Sequence, residues 1–237
     1  MSGHSKWSTI KHKKALVDAK RGNVFTKMAM LITVAVIKGG GVGDVNNNFS
    51  LRLAVEKAKM VNMPKENIKR AIEKGMGKGK EGEIEEILLE GYGPGGVAVV
   101  IETMSNKHNR TVAEIKNIFE KQGGSLGEPG SVLYQFERVG RVGYEGKVTE
   151  GQTLEFIDQG VSEFNIDEEG GELYCRVDEI KDLIKYLGDI GMSEIVGEVV
   201  YKPTTLIKVK DTEKVRKLIE LVMEHDDVQE VYTNVEW

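Results

Sequence analysis

Glu83-Ile84-Glu85-Glu86-Ile87-Leu88-Leu89-Glu90-Gly91-Tyr92-Gly93-Pro94-Gly95-Gly96-Val97-Ala98-Val99-Val100-Ile101-Glu102-Thr103 is where this chain changes character. Apolar and β-branched residues on either side of Gly93-Pro94-Gly95-Gly96 predict two strands, Glu83–Tyr92 and Val97–Thr103, joined by a hairpin turn. The stretch also holds Gly91-Tyr92-Gly93-Pro94-Gly95-Gly96, a match to G-x-G-x-x-G. A dinucleotide site needs a helix after the glycines, so that its N-terminus meets the pyrophosphate. Here a strand follows and Pro94 removes an amide, so no dinucleotide cofactor is expected.

Before the hairpin the pattern is helical. Val24/Phe25, Met28, Leu31/Ile32 and Ala35 recur at three- and four-residue spacing and predict a helix over Ala15–Lys38, ended by Gly39-Gly40-Gly41. Asn46-Asn47-Asn48 supplies an N-cap for a second helix, Phe49–Val61. Pro64 is expected at the first position of a third helix, which carries Ile68, Ala71 and Ile72 and is closed by Gly75. The glycine-rich, charged run 75–82 reads as a linker.

After the hairpin come helices Arg110–Gln122, Thr153–Gln159, Val177–Leu187 and Thr212–Glu224. The strands expected among them are Ser131–Phe136, Arg141–Tyr144, Glu163–Ile166, Glu172–Val177, Ser193–Tyr201, Leu206–Val209 and Val228–Val235. The fold class is therefore α+β and multidomain: a three-helix N-terminal domain followed by two small two-layer, ferredoxin-like α+β domains. The first α+β unit has only a hairpin and a helix by residue 124. Its missing helix and strand occur at 206–237. This predicts a basic arm and helical domain over 1–82, a discontinuous domain made of 83–131 and 203–237, and an inserted domain over 132–202, with a simple tandem arrangement as the alternative.

Composition limits the function classes. Hydrophobic residues make up 40% of the 237, enough for a real core, and a single cysteine excludes an internal disulfide framework. Cys175 lies in a predicted strand and reads as a buried thiol. The greasiest run, Met28–Ile37, is about half of the ~20 residues a membrane span needs, so a buried helix is expected and no membrane partner. With no apolar signal segment near Met1, the expected location is the cytoplasm.

Charge divides the chain. Residues 1–80 hold 17 Lys/Arg against 5 Asp/Glu, net +12, and residues 81–237 hold 16 against 33, net -17. Such an asymmetry points to a polyanionic partner for the basic part, or to a basic surface balanced by an acidic neighbour within the fold. The densest cations are Lys6, Lys11, Lys13, Lys14, Lys20, Arg21 and Lys27, with His12 among them and Trp7 placed either to stack or to anchor the arm. These nine are the candidate nucleic-acid contacts. They would neutralise phosphates and release counterions, so binding would weaken steeply with salt. Nothing among them resembles a base-reading code, so backbone contacts are expected.

Other motifs fail. Asp44-Val45-Asn46-Asn47-Asn48-Phe49 begins like a calcium loop, but Phe49 and Val55 stand where Gly and Glu are required. His4, His12, His108 and His225 have no metal-ligand spacing. Asp226-Asp227 and Glu168-Glu169 read as solvated surface. Gly123-Gly124-Ser125-Leu126-Gly127 reads as a helix-ending loop. No catalytic residue, metal, cofactor or small-molecule substrate is predicted.

Several of these residues together resemble a known family. Gly3-His4-Ser5-Lys6-Trp7, His12-Lys13-Lys14, Asp18-Ala19-Lys20-Arg21-Gly22 and Phe25-Thr26-Lys27 are similar to the N-terminal signature of the YebC/PmpR family. The likeness continues through Asn62-Met63-Pro64, Glu90–Gly96, Asn109-Arg110-Thr111, Gly123–Gly127 and Asp226–Tyr232, nearly the whole length. It implies three domains arranged around a central cavity. It also implies a cytoplasmic transcriptional regulator that binds duplex DNA, with ribosomal RNA on the ribosome as the alternative partner because some members act on translation. It carries over no catalytic residue. The family's Asp-Pro or Asn-Pro and then Asn-Pro after the triple glycine are replaced here by Val42-Gly43-Asp44-Val45-Asn46-Asn47-Asn48.

Overall fold

The computed structural model describes residues 21–78 and 84–237. The apolar spacing near the N-terminus gives helix α1, Arg21–Lys38. It ends where Gly40 takes φ 71°, a left-handed conformation that costs glycine nothing. Asn48 then caps α2, Phe49–Met60, by accepting from the Leu51 amide at 3.0 Å. Pro64 stands at the N-cap of α3, Lys65–Glu73, one position earlier than expected. Gly75 does not close α3: the chain winds on as a π-turn over Lys74–Lys78. A Cβ at Gly75 would lie 2.6 Å from Val36 and 2.7 Å from the Thr33 carbonyl, so its role is close approach to α1.

The three helices share a core of Ile32, Val36, Leu51, Ala58, Met63 and Ile68. The opposite side of α1 offers Val34 to Ile84 and Met104. Burial on two sides explains why the run Met28–Ile37 is apolar nearly all round. No helix among the described residues is long and apolar enough to cross a membrane.

The predicted hairpin is present as β1, Glu85–Tyr92, and β2, Ala98–Ser105, in register from Glu85↔Ser105 to Tyr92↔Ala98. Helix α4, His108–Lys121, follows, then a two-residue strand β3, Ser125–Leu126, where a loop is expected from sequence. The chain returns through α7, Thr212–Met223, to β8, Val228–Thr233, giving the sheet order β3-β1-β2-β8. Val97, Val99 and Ile101 pack with Ile115 and Phe119 of α4 and Leu218 and Val222 of α7. The expected strand Leu206–Val209 reduces to one bridge, Ile207↔Val235. Only Ile207 makes the pairing bonds there, donating to the Asn234 carbonyl at 2.7 Å and accepting from the Glu236 amide at 2.9 Å.

Between these segments run β4 (Phe136–Glu145), α5 (Glu150–Asp158), β5 (Glu163–Ile166), β6 (Gly170–Cys175), α6 (Ile180–Asp189) and β7 (Ser193–Pro203). Their sheet order β5-β6-β4-β7 is that of a ferredoxin-like unit. The first sheet reaches the same two-layer build by another succession, with its hairpin at the centre. Cys175 is 1% exposed, and burial pushes its thiol up to about 11. Two strands are expected around Gly140, but one strand runs through it. A Cβ there would lie 2.5 Å from Ile180 and 3.0 Å from the Cys175 sulfur, so this glycine marks tight helix–sheet packing, not a break. The chain divides into two compact units, residues 22–137 with 201–237, and residues 138–200. The fold is α+β and multidomain.

Candidate nucleic-acid interface

Of the nine candidate contacts, Lys6, Trp7, Lys11, His12, Lys13, Lys14 and Lys20 lie outside the described residues, and Arg21 opens α1. Lys27 is described and it is buried, 8% exposed. Its Nζ donates to the Met223 carbonyl at 2.5 Å, and Asn23 Nδ2 donates to the Glu224 carbonyl at 3.0 Å. These carbonyls end α7, where the helix leaves acceptors unsatisfied and its dipole is negative. Lys27 therefore caps a helix from within the fold, which corrects its expected place on a phosphate-facing surface.

The cations that do face solvent include residues outside the sequence-based candidates. Lys65, Lys69 and Arg70 on α3 are exposed and make no ion pair with a described residue. Lys59 is exposed at the end of α2. Lys65 and Lys69 are one helical turn apart while Ile68 and Ala71 face the core. That signal is present in the sequence as a basic stripe opposite an apolar one. Lys38 is paired with Glu86, which offsets its charge, while Arg52 is held by donating its Nε to the Val45 carbonyl at 3.1 Å.

One cluster has the residue types of a catalytic site. Ser105 Oγ lies 3.0 Å from Asp227 Oδ2, and Thr111 Oγ1 lies 2.5 Å from the same oxygen. His225 Nε2 is 2.8 Å from Glu114 Oε2, and its Nδ1 accepts from the Asp227 amide at 3.1 Å. That acceptance places the proton of the neutral ring on Nε2. Ser105 Oγ also accepts from the Lys107 amide at 3.0 Å. The serine is thus committed to a carboxylate and an amide, and the histidine does not touch it. The cluster ties the start of α4 to the approach to β8. Asp227, expected on the surface, is 7% exposed and is the centre of this tie. No group of His, Cys, Asp and Glu that could hold a metal occurs among the described residues.

The face of the first sheet turned toward α1 and α2 carries a second unexpected group. Glu102 accepts from the Tyr232 hydroxyl at 3.0 Å. Burial pushes its carboxyl up to about 7; the Tyr232 hydrogen bond opposes that, Glu86 and Glu230 add to it, and Lys57 offsets part. A carboxyl that holds its proton more tightly folded than unfolded makes stability fall as pH rises from the ordinary value of 4.5 to about 7. Glu102→Gln is therefore expected to stabilise the protein above pH 7 by at most about 3.5 kcal/mol, from ~1.4 kcal/mol per pKa unit. Urea unfolding at pH 5 and pH 8 checks this, since the variant should lose part of the wild-type difference between the two.

Comparison with known proteins gives a consistent family. Residues 5–78 match the model of the TACO1/YebC protein N-terminal domain, and residues 84–235 match that of the TACO1/YebC second and third domain. A probable transcriptional regulatory protein of Chloroflexus aggregans is 45% identical over 242 aligned positions, covering 100% of this chain and 96% of the relative. One of the same description from Pelotomaculum thermopropionicum is 44% identical, covering 100% and 99%. The crystal structure of a conserved hypothetical protein from Aquifex aeolicus is 38% identical, with a TM-score of 0.83 over 93% of this chain and 92% of that one.

Proposed function

The chain belongs to the TACO1/YebC family, and from that premise we propose that it is a non-catalytic regulator of gene expression that binds nucleic acid, with duplex DNA as its leading partner. The observation that carries the reading is the charge division, net +12 over residues 1–80 against net -17 over 81–237. Exposed Lys59, Lys65, Lys69 and Arg70 support it, because they extend the basic character of the arm into the helical segment. The relatives described as probable transcriptional regulatory proteins support the same class. Lys6, Lys11, Lys13, Lys14, Lys20 and Arg21 are the proposed phosphate contacts, with His12 and Trp7 beside them. Lysines meet phosphate as point charges, so they hold the backbone and carry little base selectivity. The saturated hydrogen bonds of Ser105, Thr111 and Asp227 support a structural role for the one cluster with catalytic residue types.

A titration of the full chain with a labelled DNA duplex at several salt concentrations tests the proposal. Binding that weakens linearly on a log–log plot is the expected result. Negligible affinity at moderate salt, together with co-sedimentation with ribosomes, would move the partner to ribosomal RNA. Absence of both duplex binding and co-sedimentation would end the reading.

A further inference from the structure

Between α1 and α3 the helical segment leaves an open groove of about 370 Å³, at the lower end of the roughly 300–1,000 Å³ of small-ligand clefts. Phe25, Ala29 and Met30 form one wall and Met63 lies against the other. The rim on α3 carries Asn67 and Arg70. On α1 the small Ala29, Thr26 and Thr33 line the groove together with Phe25 and Met30. At the Gly75 end of the groove the turn after α3 lies directly against Thr33 and Val36 of α1. The walls are aromatic, aliphatic and thioether, surfaces that suit a flat ring. Arg70 is exposed and in no ion pair with a described residue. Asn67 offers an amide with both a donor and an acceptor, the pattern that matches a base edge.

We propose that this groove receives one unstacked nucleobase, with Arg70 on the adjoining phosphate. The inference rests on the nucleic-acid reading above and deepens it. The ligand class is a single-stranded, looped or bulged segment, because a base still paired in a duplex keeps its faces inside the stack. Charge complementarity decides for a nucleic acid over an apolar peptide: the groove opens on the face of α3 that carries Arg70, in the part of the chain with net +12.

The test compares two labelled dodecamers of equal charge, one of deoxythymidine and one abasic at every position, each binding the full chain. Base insertion predicts about tenfold tighter binding of the first, the low-to-middle range for one stacked base. Ala29→Leu fills the groove and leaves every cation in place. It should abolish the preference and keep the salt slope, and Ala29→Met serves the same purpose if Leu disturbs folding. Equal wild-type affinity for the two dodecamers overturns the groove inference alone. So does a preference that survives the filled groove. Absence of binding to either dodecamer and to duplex, with no co-sedimentation with ribosomes, removes the underlying nucleic-acid reading as well, so the two failures are distinguishable.

Discussion

Arg141→Met is expected to destabilise the inserted unit by about 3 kcal/mol, at the lower end of the cost of breaking a buried ion pair. Arg141 on β4 is 6% exposed, and its Nε donates to Glu198 Oε1 of β7 at 2.9 Å, with a second donation from the guanidinium to the same oxygen. Glu172 on β6 is 2% exposed, and the Tyr174 hydroxyl donates to it at 3.4 Å. Burial works against the guanidinium charge, but Glu198 and Glu172 outweigh it and hold the Arg141 pKa above its ordinary value. Methionine fills similar volume and removes the charge that both carboxylates face. The Glu198 side chain is 16% exposed, so water takes up part of the cost and the lower figure applies. Denaturant unfolding reads the destabilisation. Changing Glu172 and Glu198 to Gln in the same background should recover much of it, because no unbalanced charge then remains buried.

Glu90→Gln is expected to cost about 3 kcal/mol, from three hydrogen bonds to a charged acceptor that are not fully additive. Glu90 on β1 is 4% exposed. Its carboxylate accepts from the Gly130 amide at 2.6 Å and from the Val132 and Leu133 amides at 2.8 Å each. Burial alone would raise its pKa, but the three amides overcome that and lower it. Glutamine is nearly isosteric, yet its NH2 group would face one of those amides donor to donor. The sign of the pH effect follows from the lowered value. The stabilisation is full above the ordinary carboxylate range and is lost as pH falls through the folded pKa, so the variant's deficit should shrink in acid. Thermal unfolding between pH 3 and pH 7 measures it. A deficit that stays constant over that range would show that the charge is not what holds residues 130–133.

These two sites mark the boundary of what the sequence makes legible. The helices are legible because their signals are local: a three-to-four-residue apolar period, an asparagine cap, a glycine stop. The central hairpin is legible for the same reason. Ser131–Phe136 has the look of a strand because Val132, Leu133 and Phe136 are apolar. The amides of Val132 and Leu133 are instead taken by a carboxylate some forty residues earlier, so Leu133–Gln135 forms a 3-10 turn and the strand starts at Phe136. Gly140 reads as a boundary because glycine often ends a strand, and only the position of Ile180 shows that it is a packing contact. Lys27 is one more cation in the sequence, and only the end of α7 against it reveals a cap. Asp227 reads as surface because its partners, Ser105 and Thr111, are more than a hundred residues away. Each of these differences involves a contact distant in sequence. The exposed stripe Lys65, Lys69, Arg70 is another matter: it is locally readable, but the denser arm outweighs it.

The most direct test of the central claim is the salt dependence of nucleic-acid affinity for the wild-type chain and for a variant with Lys11, Lys13 and Lys14 replaced by Ala. Each neutralised phosphate contributes about 0.9 to the slope of log affinity against log salt on duplex DNA. The variant is expected to bind more weakly and to show a slope smaller by roughly one unit for each phosphate that no lysine neutralises any longer. An unchanged slope, at any affinity, would contradict the assignment of these lysines to the phosphate backbone.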